Sequence, residues 1–584
     1  MLRAKKRDQW RIQQALKGST KFLNASSFDF IPFPLIVNDL DDPHKLVCDP
    51  EGVKATTRAY FERLYDHSRI PPMPKPWLET PSITQIRARV LKDPFQWPKA
   101  ADIADFRAML RRGNNRPAPG PDCWEKWTLK ALSDSALSIK RILPDTQVAT
   151  QPGVQTRDLM SYLASIECWA TRHKQPIYAL KRDQMKGFDY LSPDGFYDAV
   201  RAYGLPEAII SLDTDAQTQT RCFIRTAYGI TKPITVSGVN KQGGALSPLK
   251  STFTTSMGHY YLVDLLKEDS KALIVKTLSL ENDDPHTPLS KLKLLVAMVE
   301  ATDDTYIFHT ELLPLIRVTL SMERFQYAYG WITQWLKSKA YLLGARYVKG
   351  EIPTTVGFDS VTIGLDTNPM TISKHDVALI TDELDFLRTK VDDPKHRYHE
   401  LSSFVDEFQF PSTIGRMPIS LIRKIVAQQI IPRCRALLYL QPLKQADAEA
   451  LDKAILKKVH DKLGLPFQPN SLIALLPIAQ HGLGFPSLAR INASIAVSGL
   501  ARDLNHHIPA YRTMAMITLQ DWMCDKNNCK YPLHPPSSKA PSHQMKGQDE
   551  SKNINGIGLR SLRLKGVRML KDVGSWMLDF TGHI

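Results

Sequence analysis

Three aspartates of this sequence stand where they could hold divalent metal ions. Asp303 and Asp304 lie between two β-prone runs, which predicts a hairpin with carboxylates at its tip. Asp183 ends another short β-prone run. Carboxylates that converge from neighbouring strands repel each other unless cations neutralise them, and oxygen ligands suit Mg²⁺. Two such ions about 3.5–4 Å apart can activate a hydroxyl group and stabilise a leaving pyrophosphate.

The dipeptide Asp-Asp alone is not diagnostic, because it occurs four times in the chain. Three of the pairs are followed directly by proline, which is typical of turns. These pairs are Asp41-Asp42, Asp283-Asp284 and Asp392-Asp393. The fourth pair, Asp303-Asp304, also has a structural explanation, since aspartate tolerates the left-handed conformation of tight turns. The metal hypothesis therefore depends on the elements around the aspartates.

The composition indicates a large and basic globular protein. The chain has 584 residues, 43% of them hydrophobic, which is enough for several subdomains. Lys and Arg number 76 against 60 Asp and Glu, giving a formal net charge of +16. An excess of this size favours an acidic polymer as the partner, because each neutralised phosphate releases counterions. A basic protein without such a partner is the alternative.

Cysteine usage and hydropathy predict the compartment. The seven cysteines are odd in number and scattered, which favours reduced thiols in an intracellular protein. No uninterrupted apolar run reaches the length of a membrane-spanning helix, and the N-terminus lacks the apolar stretch of a secretory signal. We therefore expect a soluble protein without a membrane partner. Cys524, Cys529 and His534 suggest a zinc knuckle only weakly, because the spacing is loose and His534 falls in a Pro/Ser-rich segment.

Changes in composition divide the chain into four regions. Residues 1–85 form a basic N-terminal region, and residues 86–345 mix short β-prone runs with helical spacing. Residues 375–500 are mostly helical in pattern. Residues 501–584 form a C-terminal region that becomes polar and Pro/Ser/Lys-rich after about Asn527, which is typical of a partly disordered linker.

Six segments between about residues 100 and 490 resemble, in order, motifs of the reverse transcriptases of non-LTR (LINE-type) retrotransposons. They are Arg116–Asp122, similar to the stretch that opens the fingers; Asp183–Asp189, similar to the first palm motif; Gly238–Leu249, similar to the Gln-Gly and Ser-Pro segment; Thr302–Asp304, in the place of Ala-Asp-Asp; Gly330–Ser338, similar to the segment that closes the palm; and His481–Pro486, similar to the Gly-Leu-Gly segment beyond the thumb. Residues 17–22 resemble the connector that follows the endonuclease in this family, and no endonuclease sequence precedes them.

The resemblance implies an α+β right-hand polymerase, with fingers and palm in 86–345, a small antiparallel palm sheet, and a helical thumb in 375–500. It implies an RNA-directed DNA polymerase, a nucleotidyltransferase that adds deoxynucleotides to a primer 3′-hydroxyl with two Mg²⁺ ions, or with Mn²⁺. The partners would be an RNA template, a DNA primer and dNTPs, and the family acts in the nucleus. Template specificity and oligomeric state do not follow from the sequence.

The resemblance also assigns roles to single residues. Asp183 and Asp303 would be the main metal ligands, and Asp304 would complete the acidic cluster. Phe188 would block a 2′-hydroxyl and so select deoxynucleotides, although a core aromatic is the alternative.

Three further residues would contact the substrates. Gln242 and Gly243 would pack near the templating base and the incoming nucleotide, unless the glycines here only form a turn. Lys337 would lie near the triphosphate as a proton donor to pyrophosphate, unless it is an exposed helix lysine.

One predicted helix in the region 375–500 combines an apolar face with a basic one. Its apolar residues recur every four positions at Leu451, Ile455, Val459 and Leu463, and its lysines are Lys453, Lys457, Lys458 and Lys462. We expect lysines of this helix, Lys453 and Lys457 among them, to face the backbone of a template–primer duplex. The alternative is a solvated basic face.

Three departures from the family pattern keep other functions open. Ala301 stands where the family has an aromatic residue, Thr302 replaces the usual alanine, and only 61 positions separate Asp122 from Asp183. The fingers are therefore shorter than in the family. A catalytically impaired, nucleic-acid-binding relic is the alternative function. A DNA-templated polymerase with a similar palm would share the same chemistry.

Overall fold

The structure is a computed structural model. It describes residues 36–42, 44–66, 70, 72–94, 142–147, 151, 153–184, 187–217, 221–235, 247–277, 292–301, 304–358, 361–363, 370–372, 375–386, 389–391, 394–411, 417–465 and 472–527. The chain divides into two compact units of mixed helix and sheet. Residues up to 69 and 211–239 form the smaller unit, and residues 70–210 with those from 240 onward form the larger one.

A six-stranded sheet forms the centre of the larger unit. Its strands are β1 (Ile177–Asp183), β2 (Met298–Ala301), β3 (Asp304–His309), β4 (Lys339–Leu343), β5 (Thr355–Phe358) and β6 (His375–Thr381). Their order across the sheet is β2-β3-β1-β4-β6-β5. Neighbouring strands are antiparallel except for β4 and β6.

The sheet is larger than the small antiparallel one that we predicted. Strands β2, β3, β1 and β4 do form an antiparallel core. Strand β6 adds to it in parallel, and β5 closes the far edge. A parallel neighbour requires a crossover connection, and the chain makes it through residues 344–374. Strand β6 also lies inside the region predicted to be mostly helical, so the helical block begins at Pro394 and not at residue 375.

Helices pack on both faces of the sheet and form a separate block after it. They are α1 (Pro81–Lys92), α2 (Thr156–His173), α3 (Pro193–Ala202), α4 (Ser247–Lys267), α5 (Leu312–Tyr327), α6 (Pro394–Glu407), α7 (Ile419–Ile425), α8 (Ile431–Leu440), α9 (Gln445–Leu463), α10 (Leu488–Leu504) and α11 (Pro509–Asn527). A π-helical turn, Val426–Ile430, joins α7 to α8. Short helices are Pro76–Glu79, Gly187–Tyr190, Ala208–Gln217, Trp335–Lys337, Ala345–Tyr347, Leu472–Leu475 and Ile478–Gln480.

The alternation of side chains along β1 divides the core into two clusters. Leu180 belongs to a cluster that includes Ile307 of β3 and Phe325 of α5. Ile177 and Ala179, on the opposite face, belong to a cluster that includes residues of α2 and α11. Both faces of the middle of β1 are therefore buried in apolar side chains, as a central strand requires.

After β1 and the short helix Gly187–Tyr190, the chain begins helix α3 at Pro193. The Ser192 hydroxyl accepts a hydrogen bond from the Asp194 N–H (3.3 Å), and Pro193 takes the first helical position of α3.

Helices α6 to α10 bury a third apolar cluster of their own. It contains Leu401 of α6, Ile422 of α7 and Leu488 of α10. From α9, Leu451, Ile455 and Val459 are buried in the same cluster, with Leu463 packed against it. The apolar face predicted for this helix is therefore its buried face.

Short strand pairs complete both units. In the smaller unit the helix Pro50–Leu64 is accompanied by the pairs Val37–Asn38 with Leu46–Val47, Arg221–Cys222 with Ile234–Thr235, and Arg225–Thr226 with Gly229–Ile230. In the larger unit the pairs are Ile274–Lys276 with Lys293–Leu295, Val361–Ile363 with Met370–Ile372, and Asp385–Phe386 with Thr389–Lys390. Within the described ranges, no helix has both the length and the apolar character needed to cross a membrane.

Candidate catalytic site

Strands β1 and β3 place Asp183 and Asp304 side by side. The two residues are register partners in the antiparallel pair. Direct partners have Cβ atoms about 4.5–5.5 Å apart and point to the same face of the sheet. Their side chains are 28% and 22% exposed, so both carboxylates lie at the boundary between core and solvent. Two of the three predicted metal ligands are thus brought together.

The predicted hairpin that carries the acidic pair is present. Ala301 of β2 pairs with Asp304 of β3, so two residues connect the strands. Asp303 is one of them and lies outside the described residues, as does Thr302. The prediction placed Asp303 and Asp304 together at the tip, whereas Asp304 is already the first residue of β3.

A lysine stands beside each described carboxylate. Lys337 Nζ lies 3.9 Å from Asp183 Oδ2, and its side chain is 68% exposed. The backbone fixes this neighbourhood, since the Gln334 N–H donates to the Asp183 carbonyl oxygen (2.8 Å) and the helix Trp335–Lys337 follows at once. Lys337 is therefore next to Asp183, on a short helix where its ammonium reaches solvent, and its role as a proton donor stays a prediction.

The second lysine, Lys181, was not among the predicted site residues. Its Nζ lies 3.2 Å from Asp304 Oδ1. A signal for it exists in the sequence, because a residue two positions before Asp183 in a strand points to the same face. Counting back two residues from Asp183 along the predicted strand therefore identifies Lys181 as a neighbour of the site.

The donor set fits a hard divalent cation. Two carboxylates from adjacent strands offer oxygen atoms on one face, and Mg²⁺ is usually bound by one or two carboxylates together with waters and substrate phosphates. Asp183 and Asp304 would hold the ion. Among the residues that the structure describes, no group of three or more His, Cys, Asp or Glu side chains is placed to bind a metal. The side chain of Cys524, and Cys529 and His534, lie outside those residues.

On the other face of β1, a buried polar network anchors the strand that carries Asp183. Arg182 forms an ion pair with Glu323 of α5, and both side chains are almost completely buried. Arg182 Nη2 also donates to Gln326 Oε1 (2.7 Å) and Thr333 Oγ1 (2.6 Å). The strand end is thereby tied both to a helix and to the segment leading to Lys337.

A second buried network lies behind the hairpin. Glu300 of β2 accepts hydrogen bonds from Gln147 Nε2 (2.5 Å) and Thr305 Oγ1 (3.1 Å), and its Oε2 is 3.3 Å from His259 Nε2. Burial alone would raise the pKa of Glu300, but the charge and hydrogen bond of His259, with the hydrogen bonds of Thr255 and Gln147, outweigh it and lower that pKa. The hairpin is therefore fixed from behind by an ionised carboxylate.

Three predicted substrate contacts lie outside the described part of the molecule. They are Gln242, Gly243 and the side chain of Phe188. The backbone of Phe188 belongs to the helix Gly187–Tyr190, directly after the strand that carries Asp183.

The predicted basic face of α9 is divided by the structure. Lys453 and Lys457 are exposed. Lys458 Nζ instead donates to the carbonyl oxygens of Asp406 (2.7 Å) and Phe408 (3.0 Å), and Lys462 Nζ donates to that of Pro411 (3.2 Å). Carbonyl oxygens at and after the end of α6 thus occupy this second pair, and contact with a nucleic acid stays a prediction for Lys453 and Lys457.

Comparisons with known proteins give structural neighbours of low similarity. No family model and no curated protein matches the chain. Apo telomerase from Candida tropicalis, truncated from its C-terminal domain, is 13% identical with a TM-score of 0.24, over 39% of this chain and 41% of that chain. Telomerase from Candida tropicalis in complex with a TWJ fragment of telomeric RNA is 12% identical with a TM-score of 0.29, over 67% of this chain and 55% of that chain.

The corresponding complex from Candida albicans is 13% identical with a TM-score of 0.25, over 59% of this chain and 50% of that chain. The matches span less than two thirds of each telomerase chain.

Proposed function

We propose that this protein is an RNA-directed DNA polymerase of retrotransposon origin, which adds deoxynucleotides to a primer 3′-hydroxyl. The observation that carries the proposal is the register pairing of Asp183 with Asp304 at the ends of two interior strands of the sheet. Their sequence contexts resemble the metal-binding motifs of LINE-type reverse transcriptases. Asp303, at the connection between β2 and β3, would complete the set of ligands.

Three described residues of the site have a place in this reaction. Divalent ions, when bound, would supply the charge that activates the primer hydroxyl and stabilises the leaving pyrophosphate. Asp183 and Asp304 are aimed from adjacent strands, so the sheet orients both carboxylates without a flexible loop. The exposed ammonium of Lys337, beside Asp183, is available to donate a proton to the pyrophosphate oxygen.

The charge of the chain supports a nucleic-acid partner. The formal net charge is +16, and Lys453 and Lys457 are exposed one helical turn apart on α9. Lysines so spaced can contact successive phosphates of a template–primer duplex without reading its sequence.

Primer extension by the purified full chain tests the proposal. A primed RNA template, Mg²⁺ and dNTPs would be compared for the wild type, Asp183→Asn, Asp303→Asn and Asp304→Asn. We expect Asp183→Asn and Asp303→Asn to lower the rate by roughly a thousandfold, about 4 kcal/mol of transition-state stabilisation, and Asp304→Asn to lower it less. Asp376→Asn, an exposed position on β6, is the matched control and should extend normally. Equal incorporation by the wild type and Asp303→Asn would overturn the assignment.

A catalytically impaired nucleic-acid-binding protein is the second candidate. The observation in its favour is that both described carboxylates already stand beside a lysine ammonium, Lys337 for Asp183 and Lys181 for Asp304. Salt-sensitive binding of a primed template without Mg²⁺-dependent extension would support this candidate over the first. A DNA template in the same assay separates an RNA-directed from a DNA-directed polymerase.

A further inference from the structure

Lys181 is held in place by two neighbours on one face of the sheet, Asp304 and Tyr306. It lies two residues before Asp183 in β1 and is the register partner of Tyr306 in β3. Its Nζ lies 3.2 Å from Asp304 Oδ1 and 5.9 Å from the centroid of the Tyr306 ring. The Lys181 side chain is only 17% exposed. An ammonium between a carboxylate and the face of a buried aromatic ring is positioned by both.

This ammonium stands where a metal ion would be attracted. A Mg²⁺ ion binds a carboxylate oxygen at about 2.0–2.1 Å, so an ion on Asp304 Oδ1 would lie within about 5 Å of Lys181 Nζ in this conformation. Like charges at that separation repel, and partial burial limits the screening by solvent and salt. Metal binding to Asp304 therefore requires that the ammonium move away or that the affinity be reduced.

Lys337 does not impose the same constraint. Its Nζ is farther from its carboxylate, 3.9 Å from Asp183 Oδ2, and its side chain is mostly exposed. Exposed pairs of long side chains contribute little and separate easily. The two lysines thus differ in their freedom to move. Of the two, Lys181 is the one confined beside a carboxylate oxygen, Asp304 Oδ1, that a cation would need.

We propose that Lys181 is a built-in counter-cation, which lowers the affinity of Asp304 for divalent ions until an anionic nucleotide gives the displaced ammonium another partner. This inference rests on the proposed function. A triphosphate carries several negative charges and accepts hydrogen bonds from an ammonium. Because the ammonium leaves Asp304 as the metal arrives, metal and nucleotide bind cooperatively, and the metal-bound state without substrate is disfavoured.

Calorimetric titration of the full chain with Mn²⁺ alone measures the affinity for the ion. It tests the inference without any catalytic readout. Lys181→Met keeps the apolar stem over Tyr306 and removes the charge. We expect it to tighten Mn²⁺ binding at least about tenfold, because one repelling charge is removed from the site. Lys181→Gln serves as a second neutral variant should the methionine disturb the fold, and Lys181→Arg should bind Mn²⁺ like the wild type.

Lys339→Met is the matched control. Lys339 is the register partner of Lys181 on β4 and also carries one positive charge, but its Nζ pairs with Asp385 Oδ2 (3.1 Å). We expect this variant to change Mn²⁺ affinity by less than about twofold, because the ammonium is neutralised by Asp385 and its side chain is 45% exposed, so that solvent and salt screen its charge. An equal effect of Lys339→Met and Lys181→Met would overturn the specific role of Lys181 and leave only a general effect of net charge.

The same titrations separate this inference from the proposed function. If Asp183→Asn and Asp304→Asn weaken Mn²⁺ binding but neither neutral variant of Lys181 tightens it, the counter-cation role is wrong and the metal site stands. If the two aspartate variants bind Mn²⁺ as the wild type does, the metal site itself is wrong. Adding a non-hydrolysable deoxynucleotide should tighten Mn²⁺ binding more in the wild type than in Lys181→Met, and an equal gain in both would contradict the cooperative role.

Discussion

Arg182 and Glu323 form an ion pair inside the larger unit, directly behind the strand end that carries Asp183. The guanidinium lies on the opposite face of β1 from the Asp183 carboxylate, because neighbouring residues of a strand point to opposite faces. It also binds Gln326 and Thr333. One residue thus faces the core and the next faces the candidate metal site, and the position of the second depends on how firmly the first is held.

Removing the guanidinium should destabilise the protein strongly. Arg182→Met leaves the Glu323 carboxylate buried without its charged partner, and breaking a buried pair on one side costs about 3–5 kcal/mol. The free energy of unfolding, measured in urea, should fall by that amount. Mn²⁺ affinity should fall as well, since the end of β1 then loses the side-chain hydrogen bond of Arg182 to Thr333.

The double variant Arg182→Met/Glu323→Leu is the control for this destabilisation. Replacing both charges by apolar groups of similar volume removes the unpaired charge, so most of the stability should return. If the effects of the two single substitutions simply add in the double variant, the ion pair is not the cause of the destabilisation.

The hairpin could be predicted from sequence because the signals are local, although its connection lies one residue earlier than predicted and leaves Asp304 in β3. Two β-prone runs on either side of Asp303 and Asp304 specify a short connection whatever the rest of the chain does. The register between β1 and β3 could not be predicted, because the residues it pairs are far apart in the chain and the pairing depends on packing against α5. That register makes Asp304 the direct neighbour of Asp183.

The burial of charged residues in the core could not be predicted from the sequence pattern either. Arg182 and Glu300 lie in β-prone runs, where a charge ordinarily indicates an exposed face. Their partners, Glu323 and His259, are on helices that are distant in sequence from them. Lys458 was assigned to a nucleic-acid face for a similar reason, since only the fold shows that carbonyl oxygens at and after the end of α6 bind its ammonium.

Lys337 should influence the rate of chemistry and not the binding of metal. If its ammonium donates a proton to pyrophosphate, Lys337→Ala should lower the single-turnover rate of nucleotide addition by roughly a hundredfold, the lower end of the effect of a general acid. Lys337→Arg should also be slower than the wild type, because a guanidinium keeps the positive charge but does not give up its proton. An unchanged rate for Lys337→Ala with normal Mn²⁺ affinity would assign the residue to the exposed surface alone.

The lysines of α9 should separate into two functional pairs. Lys453→Ala/Lys457→Ala should weaken binding of a primed template and reduce the slope of log affinity against log salt by about 0.9 for each duplex phosphate that these lysines neutralise in the wild type. The stability of the protein should not change. Fluorescence anisotropy at several salt concentrations measures the slope.

Lys458→Ala is the comparison within the same helix. It removes hydrogen bonds to two carbonyl oxygens, so the free energy of unfolding should fall by about 1.5–3 kcal/mol. The salt dependence of template binding should stay as in the wild type. The reverse result, a changed slope for Lys458→Ala and none for the exposed pair, would contradict the division of the helix.

Asp158 of α2 should make the protein sensitive to acid. Its carboxylate accepts hydrogen bonds from Arg502 Nε and Nη2 (2.6 Å each) and from the Gln155 N–H (2.9 Å). Burial raises its pKa, but the hydrogen bonds of Arg502, His506 and Gln155 outweigh burial and hold that pKa well below the usual range. A lowered carboxyl pKa gives stability that is present above about pH 4, the unfolded value, and is lost as pH falls below it.

The variant Asp158→Asn reports this contribution directly. At pH 7 it should lower the free energy of unfolding by about 3–5 kcal/mol, because Arg502 loses its anion and the buried Arg157 keeps only Asp503. The difference from the wild type should shrink as the pH falls from about 5 to about 2. A difference that stays constant over this range would show that Asp158 is not ionised in the folded protein.

Glu300 connects the stability of the core to the geometry of the hairpin. Three residues before Asp303, its carboxylate binds Gln147 and Thr305 and faces His259, and all of these groups are buried. Glu300→Ala should lower the free energy of unfolding by about 3–5 kcal/mol, because it leaves His259 Nε2 without its carboxylate and removes an acceptor of the buried Gln147 amide. Mn²⁺ affinity should fall with it, as the hairpin is no longer fixed from behind.

Two further variants distinguish a specific role of Glu300 from a general effect of removing charge. Glu300→Gln keeps the shape and an acceptor oxygen, so it should retain more stability and more Mn²⁺ affinity than alanine does. Glu311→Ala, just beyond the end of the same hairpin, removes a carboxylate that is exposed and paired with an exposed Lys271, and it should change neither property measurably. If Glu300→Ala unfolds more easily yet binds Mn²⁺ as the wild type does, the buried network supports the fold alone, and the position of Asp304 is determined by its pairing with β1.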